Sequence, residues 1–323
     1  MEQLVRLVGI ARLAAEGTVI NEKRRVEYRT LPTRKWLNRC DSTRVPFQWS
    51  INPYRGCEFG CKYCYARFTH EFLERRDVDA FETEIYVKDW DPAAFKRELN
   101  LVKPGHVLGI GTATDPYQPA ERKFGRTRQV LECLRTLSGA SIFITTKSNL
   151  VSRDIALLKQ LAEHNEIGVT LTVTTMDREL ARLIEPMAPR PDLRMQAVAE
   201  LAAAGVPVAV IANPVMPLIT DSEDNLESVA RAAKQAGANQ FGANVLFLKP
   251  TAQRVFFPFV AEIFPEYLAH YQNSFSNNAF LRGAYPERMR QLVNEIRKRV
   301  GITSRDLERM KPPQPPGSQM ALF

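Results

Sequence analysis

Apolar residues recur along this chain in two alternating rhythms. Short runs rich in β-branched residues are each followed by a longer stretch whose apolar positions return every three or four residues. The short runs are Phe47–Ile51, Val107–Gly111, Ser141–Thr145, Ile167–Val173, Pro207–Ile211 and Phe241–Phe247. The longer ones include Arg126–Leu137, Asp154–Glu163, Asp192–Ala204 and Ser222–Ala236, the last two followed by Gly205 and Gly237 in the usual helix-stop position. Strands that alternate with helices predict βαβ units, and hence an α/β fold around a parallel sheet. In such folds the chemistry sits at the carboxyl ends of the strands, where the loops converge.

Composition changes this picture at the ends of the chain. With 323 residues, 45% of them hydrophobic, the chain can bury one large core and carry extensions. No run approaches the roughly 18 to 20 apolar residues of a membrane span. The net charge of +8 is terminal: residues 1–45 hold ten Lys or Arg against five Asp or Glu, and residues 281–311 hold nine against four. Basic segments of this kind could track a phosphate backbone, with an affinity that falls as salt rises. The helix expected after Pro286 reads equally well as an amphipathic surface helix. Its stripe is Tyr285, Met289, Leu292, Val293, Ile296 and Val300, with Arg290, Arg297 and Lys298 off that stripe. The expected organisation is a basic N-terminal extension (1–45), a core (46–250), a helical C-terminal extension (251–311) and a Pro-rich disordered tail (312–323).

Candidate chemistry concentrates in the run from Arg55 to Tyr65, where Cys57, Cys61 and Cys64 have C-x3-C-x2-C spacing. A cluster held only by protein normally takes four thiolates, so three in one loop suggest a [4Fe–4S] cluster with one iron open to a non-protein ligand. Gly56 and Gly60 supply the backbone freedom to turn around it. Disulfides would need an oxidising compartment and usually an even count. Here there are five cysteines, and the first residues lack a secretory apolar run, so the expectation is a cytoplasmic protein. Structural zinc would need a fourth ligand; His70 could be recruited but lies beyond the usual spacing. Cys40 and Cys133 read as ordinary buried or half-buried thiols.

The cysteines, with the longer strings Asn52–Cys57 and Tyr63–Ala66, resemble the cluster motif of the radical S-adenosylmethionine (SAM) superfamily, and within it the spore photoproduct lyase-like branch. The resemblance runs from about Pro46 to Pro250. It implies a (βα)6 partial TIM barrel with N- and C-terminal extensions, a [4Fe–4S] cluster on Cys57, Cys61 and Cys64, and SAM as cofactor. It also implies an electron donor such as flavodoxin or ferredoxin, and no membrane. In that superfamily the methionine amine and carboxylate of SAM chelate the open iron, and reductive cleavage yields a 5′-deoxyadenosyl radical that abstracts hydrogen from substrate, here nucleic acid or another molecule. The competing reading is a non-catalytic iron–sulfur or zinc-binding protein with basic nucleic-acid-binding arms.

Further site residues follow from the same resemblance. The loop Gly109–Glu121 corresponds to one that lines the pocket shared by SAM and substrate, which makes Thr112, Thr114, Asp115 and Tyr117 candidates. Lys147 and Thr174 match positions that approach the SAM carboxylate; Thr174 is placed by counting back from a Glu185-Pro186 pair similar to one in the lyase. Arg194 matches an arginine at the start of its helix. Tyr63 and Tyr65 match tyrosines proposed to relay a hydrogen atom, although packing over the cluster explains them equally. The lyase's hydrogen-donating cysteine lies in a Cys-Thr-Ser-Asp string that aligns with Thr112-Ala-Thr-Asp115. The O–H bond of Thr112 is too strong to replace a thiol, which argues against the same thymine-dimer reversal.

Overall fold

A computed structural model describes residues 7–23, 25–33, 35–42, 45–75 and 77–304; the expected tail at 312–323 lies outside them. Its strands are β1 (Val19–Lys23), β2 (Val26–Leu31), β3 (Leu37–Arg39), β4 (Trp49–Ile51), β5 (Tyr54–Arg55), β6 (Glu84–Lys88), β7 (Val107–Ile110), β8 (Ser141–Thr146), β9 (Glu166–Thr172), β10 (Val208–Val215), β11 (Gln240–Val245) and β12 (Thr303–Ser304). The larger sheet has the order β12-β11-β10-β9-β8-β7-β4-β3. From β4 to β11 its six strands are parallel and follow chain order, and they coincide with the six apolar runs. The sheet is open, since β12 and the antiparallel β3 form its two edges. With helices in the crossovers, this is the expected α/β partial barrel.

The strands form where they do because they are covered on both faces. β7 is buried at all four positions, and β9 at every position after Glu166. Such uninterrupted burial is the mark of a parallel strand sandwiched between layers. The crossover helices Arg126–Leu134, Ile155–Ala162, Pro191–Ala203 and Glu223–Gln235 lie close to their predicted spans. Ser222 caps the last of these by accepting from the Asn225 backbone N–H at 3.3 Å.

A smaller sheet, in the order β1-β2-β6-β5, was not legible as such in the apolar pattern. The N-terminal residues supply two of its strands, and β2 pairs in parallel with β6 more than fifty residues later. Its core is Tyr28, Tyr54, Ile85, Val87 and Ala120.

The C-terminal residues form three longer helices, Pro250–Ile263, Leu268–Phe275 and Tyr285–Val300. The last buries Met289, Val293 and Ile296, as its stripe predicts. Several of its cations are paired, Arg290 with Glu287, and Arg299 with Glu223 at 2.7 Å and Glu227 at 2.8 Å. Removing the chain from residue 281 would therefore strip the core of buried side chains as well as charge. Among the described residues, no helix is long and apolar enough to cross a membrane.

Candidate cluster and cofactor site

The cysteine loop follows the carboxyl end of β4 and passes into a 3-10 helix, Tyr65–Leu73. Gly56 turns it with φ +82°, and a Cβ there would lie 2.8 Å from the Phe81 carbonyl oxygen and 2.9 Å from that of Glu84. Only glycine satisfies both constraints. Gly60 makes the second left-handed turn, at φ +62°.

Buried polar groups brace this loop from several directions. Thr114 donates to the Gly56 carbonyl at 2.5 Å, as does Gln118 Nε2 at 3.0 Å. Gln118 Oε1 accepts from the Glu58 N–H at 3.0 Å. The Glu58 carboxylate in turn accepts from Ala120 N–H at 2.7 Å and from the Tyr28 hydroxyl at 3.0 Å, which ties the loop to the smaller sheet. Arg67, only 2% exposed, donates to the Cys61 carbonyl at 3.2 Å and pairs with Glu82.

The thiols of Cys57 and Cys61 are buried and that of Cys64 is half-buried, all three free. They belong to one apolar cluster with Phe59, Tyr63 and Phe81, a cluster that continues into Phe256, Tyr271 and Phe275 of the C-terminal helices. Burial, then the charge of Asp115 and the neighbouring thiols, pushes the Cys57 thiol well above its ordinary range. Cys61 is pushed up to about 12, chiefly by burial. Neutral thiols shielded from water become good ligands once a metal displaces their protons. Among the described residues, no three His, Cys, Asp or Glu side chains converge on one metal-ion position. A cubane is larger than a single ion and its ligands stand farther apart, so this loop suits the cluster better than zinc. His70 turns away: its Nε2 faces the Glu84 carbonyl at 3.1 Å, its ring lies between Phe81 and Tyr86, and burial lowers it to about 4.

Beneath the loop, Glu185 is a hub. Its carboxylate accepts from Tyr63 and from Thr174 at 2.8 Å and pairs with Arg194 at 2.6 Å. Glu185 and Arg194 are each 1% exposed. Burial alone would raise Glu185; Arg194, then Lys147 and the two hydroxyls, outweigh it and hold the carboxyl below its ordinary value. Arg194 also donates to the carbonyls of Pro189 at 2.6 Å and Thr172 at 3.0 Å, so it reaches the site only through Glu185.

The remaining predicted residues gather at the strand ends. Asp115 accepts from the Thr146 hydroxyl at 2.6 Å, the Lys147 N–H at 2.7 Å and the Tyr117 N–H at 2.9 Å, which joins the loop after β7 to the end of β8. Lys147 Nζ lies 5.6 Å over the Tyr63 ring, with no hydrogen bond or ion pair to any described residue. Burial opposes its charge, but Cys61 and Glu185 more than compensate and raise it above the ordinary lysine value. Tyr117 is buried in the core, whereas Tyr65 is 42% exposed and donates to the Thr112 carbonyl. The Thr112 hydroxyl takes a hydrogen bond from Asn52 Nδ2 at 3.0 Å. Asn52, Glu58, Arg67, Gln118 and Glu185 were not among the predicted site residues. Asn52, Glu58 and Gln118 lay within the motif strings and Glu185 served as the marker used to place Thr174, whereas Arg67 had no signal.

Three comparisons bear on this arrangement. The profile of the radical SAM superfamily matches residues 51–245. The chain belongs to the radical SAM superfamily. It is a radical SAM enzyme, and its cofactors are a [4Fe–4S] cluster and SAM. An uncharacterized protein of Mycobacterium tuberculosis (strain ATCC 25618 / H37Rv) is 30% identical over 285 residues, covering 87% of this chain and 82% of that one. An uncharacterized protein of Methanocaldococcus jannaschii is 30% identical over 203 residues, or 62% of this chain and 71% of that one. Among solved structures, spore photoproduct lyase complexed with dinucleoside spore photoproduct superposes with a TM-score of 0.61 at 14% identity, covering 84% of this chain and 78% of that one. This likeness makes the fold spore photoproduct lyase-like.

Proposed function

We propose that this radical SAM enzyme binds SAM between Lys147 and the cysteine loop and abstracts hydrogen from a nucleic-acid substrate held at the strand ends. When bound, cluster and SAM together supply a 5′-deoxyadenosyl radical. Cys57, Cys61 and Cys64 would hold the iron, in an apolar cluster that extends into the C-terminal helices. Lys147 supplies the cation for the SAM carboxylate, with Asp115 fixing its backbone. Tyr63 and Thr174 keep Glu185 in place below. The single observation that carries the reading is the sheltered Lys147 ammonium, without an ion pair to a described residue, poised over Tyr63 near Cys61. A point-charge lysine suits a single carboxylate. We place the enzyme in the cytoplasm, where a reduced electron donor and free thiols coexist.

Anaerobic reconstitution tests this reading. A SAM-dependent change in the reduced cluster's EPR signal with release of 5′-deoxyadenosine supports it; tight zinc and no cluster overturns it. Lys147→Ala is expected to keep full iron content and to weaken SAM binding about tenfold to a hundredfold, the value of a hydrogen bond to a charged group. An unchanged SAM dissociation constant returns Lys147 to an ordinary strand-end lysine.

The nucleic-acid assignment rests on the net charge of +8. The full chain is expected to bind DNA with an affinity that falls steeply as salt rises. It is not expected to reverse spore photoproduct by the lyase route, because Thr112, its hydroxyl engaged by Asn52, stands where the donor thiol would be. Salt-independent DNA affinity would count against the first expectation, and multiple-turnover repair against the second.

A further inference from the structure

Beside the cluster loop is a cavity of about 190 Å³ that shares no lining residue with the Glu185 network. Its walls include Asn38 and Ser50 from β3 and β4, Arg55 from β5, Thr69, Lys88 at the end of β6, and Thr112 after β7. Two of these side chains are cations, and none is an acid. Lys88 is 5% exposed, and its ammonium has only the Lys35 carbonyl at 3.5 Å and the face of Trp36 at 5.2 Å. Arg55 is half-buried, and its guanidinium makes no hydrogen bond or ion pair with a described residue.

Two sheltered cations without a counter-ion cost free energy that nothing else in the cavity recovers. Burial, and then the charge of Arg55, lowers Lys88 to about 7. The carboxylate with a favourable influence on it, Glu98, is outside the cavity lining and already accepts from the Trp36 N–H at 3.0 Å and the Leu37 N–H at 2.9 Å. The neutral walls add no compensating charge, and the Thr69 hydroxyl is committed to the Ala66 carbonyl at 2.7 Å. The missing component is an anion.

We propose that this cavity is the phosphate subsite of the substrate, seating one phosphate ester group between Arg55 and Lys88 so that the rest of the molecule extends past Thr112. A guanidinium and an ammonium together suit the several oxygens of a phosphate, the guanidinium through two parallel hydrogen bonds. Thr112 both lines the cavity and anchors the Tyr65 hydroxyl, so a group held here adjoins the strand ends where the cofactor is placed. Phe72, 55% exposed in the cavity lining, offers an aromatic face to a ring carried by the ester. The proposal rests on the reading above for the position of the cofactor.

The test is calorimetric titration of the full-length, cluster-reconstituted protein, without SAM, using inorganic phosphate, a nucleoside 5′-monophosphate and an oligonucleotide lacking terminal phosphates. Saturable one-to-one phosphate binding is expected. Lys88→Met should weaken it at least tenfold at unchanged iron content. Asn38→Asp, which keeps both cations but adds a carboxylate to the cavity, should do the same. Undiminished phosphate affinity in both variants, or no saturable binding in the wild type, overturns the proposal. Tighter binding of the monophosphate assigns the subsite to a terminal phosphate; tighter binding of the oligonucleotide that is weakened by both variants assigns it to a backbone phosphodiester. A protein that binds phosphate here and yet forms no 5′-deoxyadenosine would defeat the functional reading while leaving the subsite standing.

Discussion

Cys61→Ala is expected to abolish SAM cleavage and most of the iron content. Cys61 is 6% exposed and follows two glycine-enabled turns, in a loop braced by Thr114, Gln118 and Arg67. Alanine leaves two thiolates where the cluster needs three from the protein, and the apolar cluster around the loop holds no further cysteine among the described residues. Iron analysis and 5′-deoxyadenosine release after anaerobic reconstitution check this, and full iron with normal cleavage would sink the assignment. Cys40→Ala and Cys133→Ala should keep the cluster. Cys40 packs against the Asn38 carbonyl and the Ser50 hydroxyl, and Cys133 belongs to the main core.

Glu185→Ala is expected to destabilise the protein by about 3 to 5 kcal/mol, the usual consequence of leaving one member of a buried ion pair alone. Arg194 would keep two carbonyl partners but lose its carboxylate, the Tyr63 and Thr174 hydroxyls would lose their acceptor, and Lys147 would lose a neighbouring negative charge. A urea midpoint shifted downward with little change in slope is the expected result; an unchanged midpoint would show that the hub contributes nothing. The charge contribution also has a defined pH dependence. The folded carboxyl lies below its ordinary value of 4.5, so its stabilisation is complete above that value and is lost as pH falls through the lower folded value. The stability gap between wild type and Glu185→Gln should therefore narrow on acidification below about pH 4.5.

The barrel strands and the cluster ligands were legible because their signals are local. A strand such as Val107–Ile110, buried on both faces, must be apolar at consecutive positions, and its period differs from that of the helix Arg126–Leu134 that follows. Three thiols that bind one cluster from one loop must lie within a few residues of each other, so their spacing carries the chemistry. The strand-end residues Thr112, Asp115 and Lys147 became candidates through the resemblance to the lyase branch, since polar groups that end an apolar run are otherwise ordinary turn or solvated residues.

The sequence by itself determined the α/β class, the order of the six parallel strands, the cysteine triad, the stripe of the last helix and the terminal basic charge. Tertiary structure alone decided what surrounds the loop. It paired β2 with β6, joined Phe256, Tyr271 and Phe275 to the apolar cluster that includes the cysteines, and converted Glu185 from a positional marker into the group that holds Tyr63, Thr174 and Arg194. It also brought Arg55 and Lys88 into one cavity. Tyr63 and Glu185 are 122 residues apart, and no periodicity or motif spacing encodes a contact across such a distance. Partners of this kind are selected by the burial of charge, since a carboxylate, a guanidinium or an ammonium removed from water must find a counter-charge wherever the folded chain supplies one.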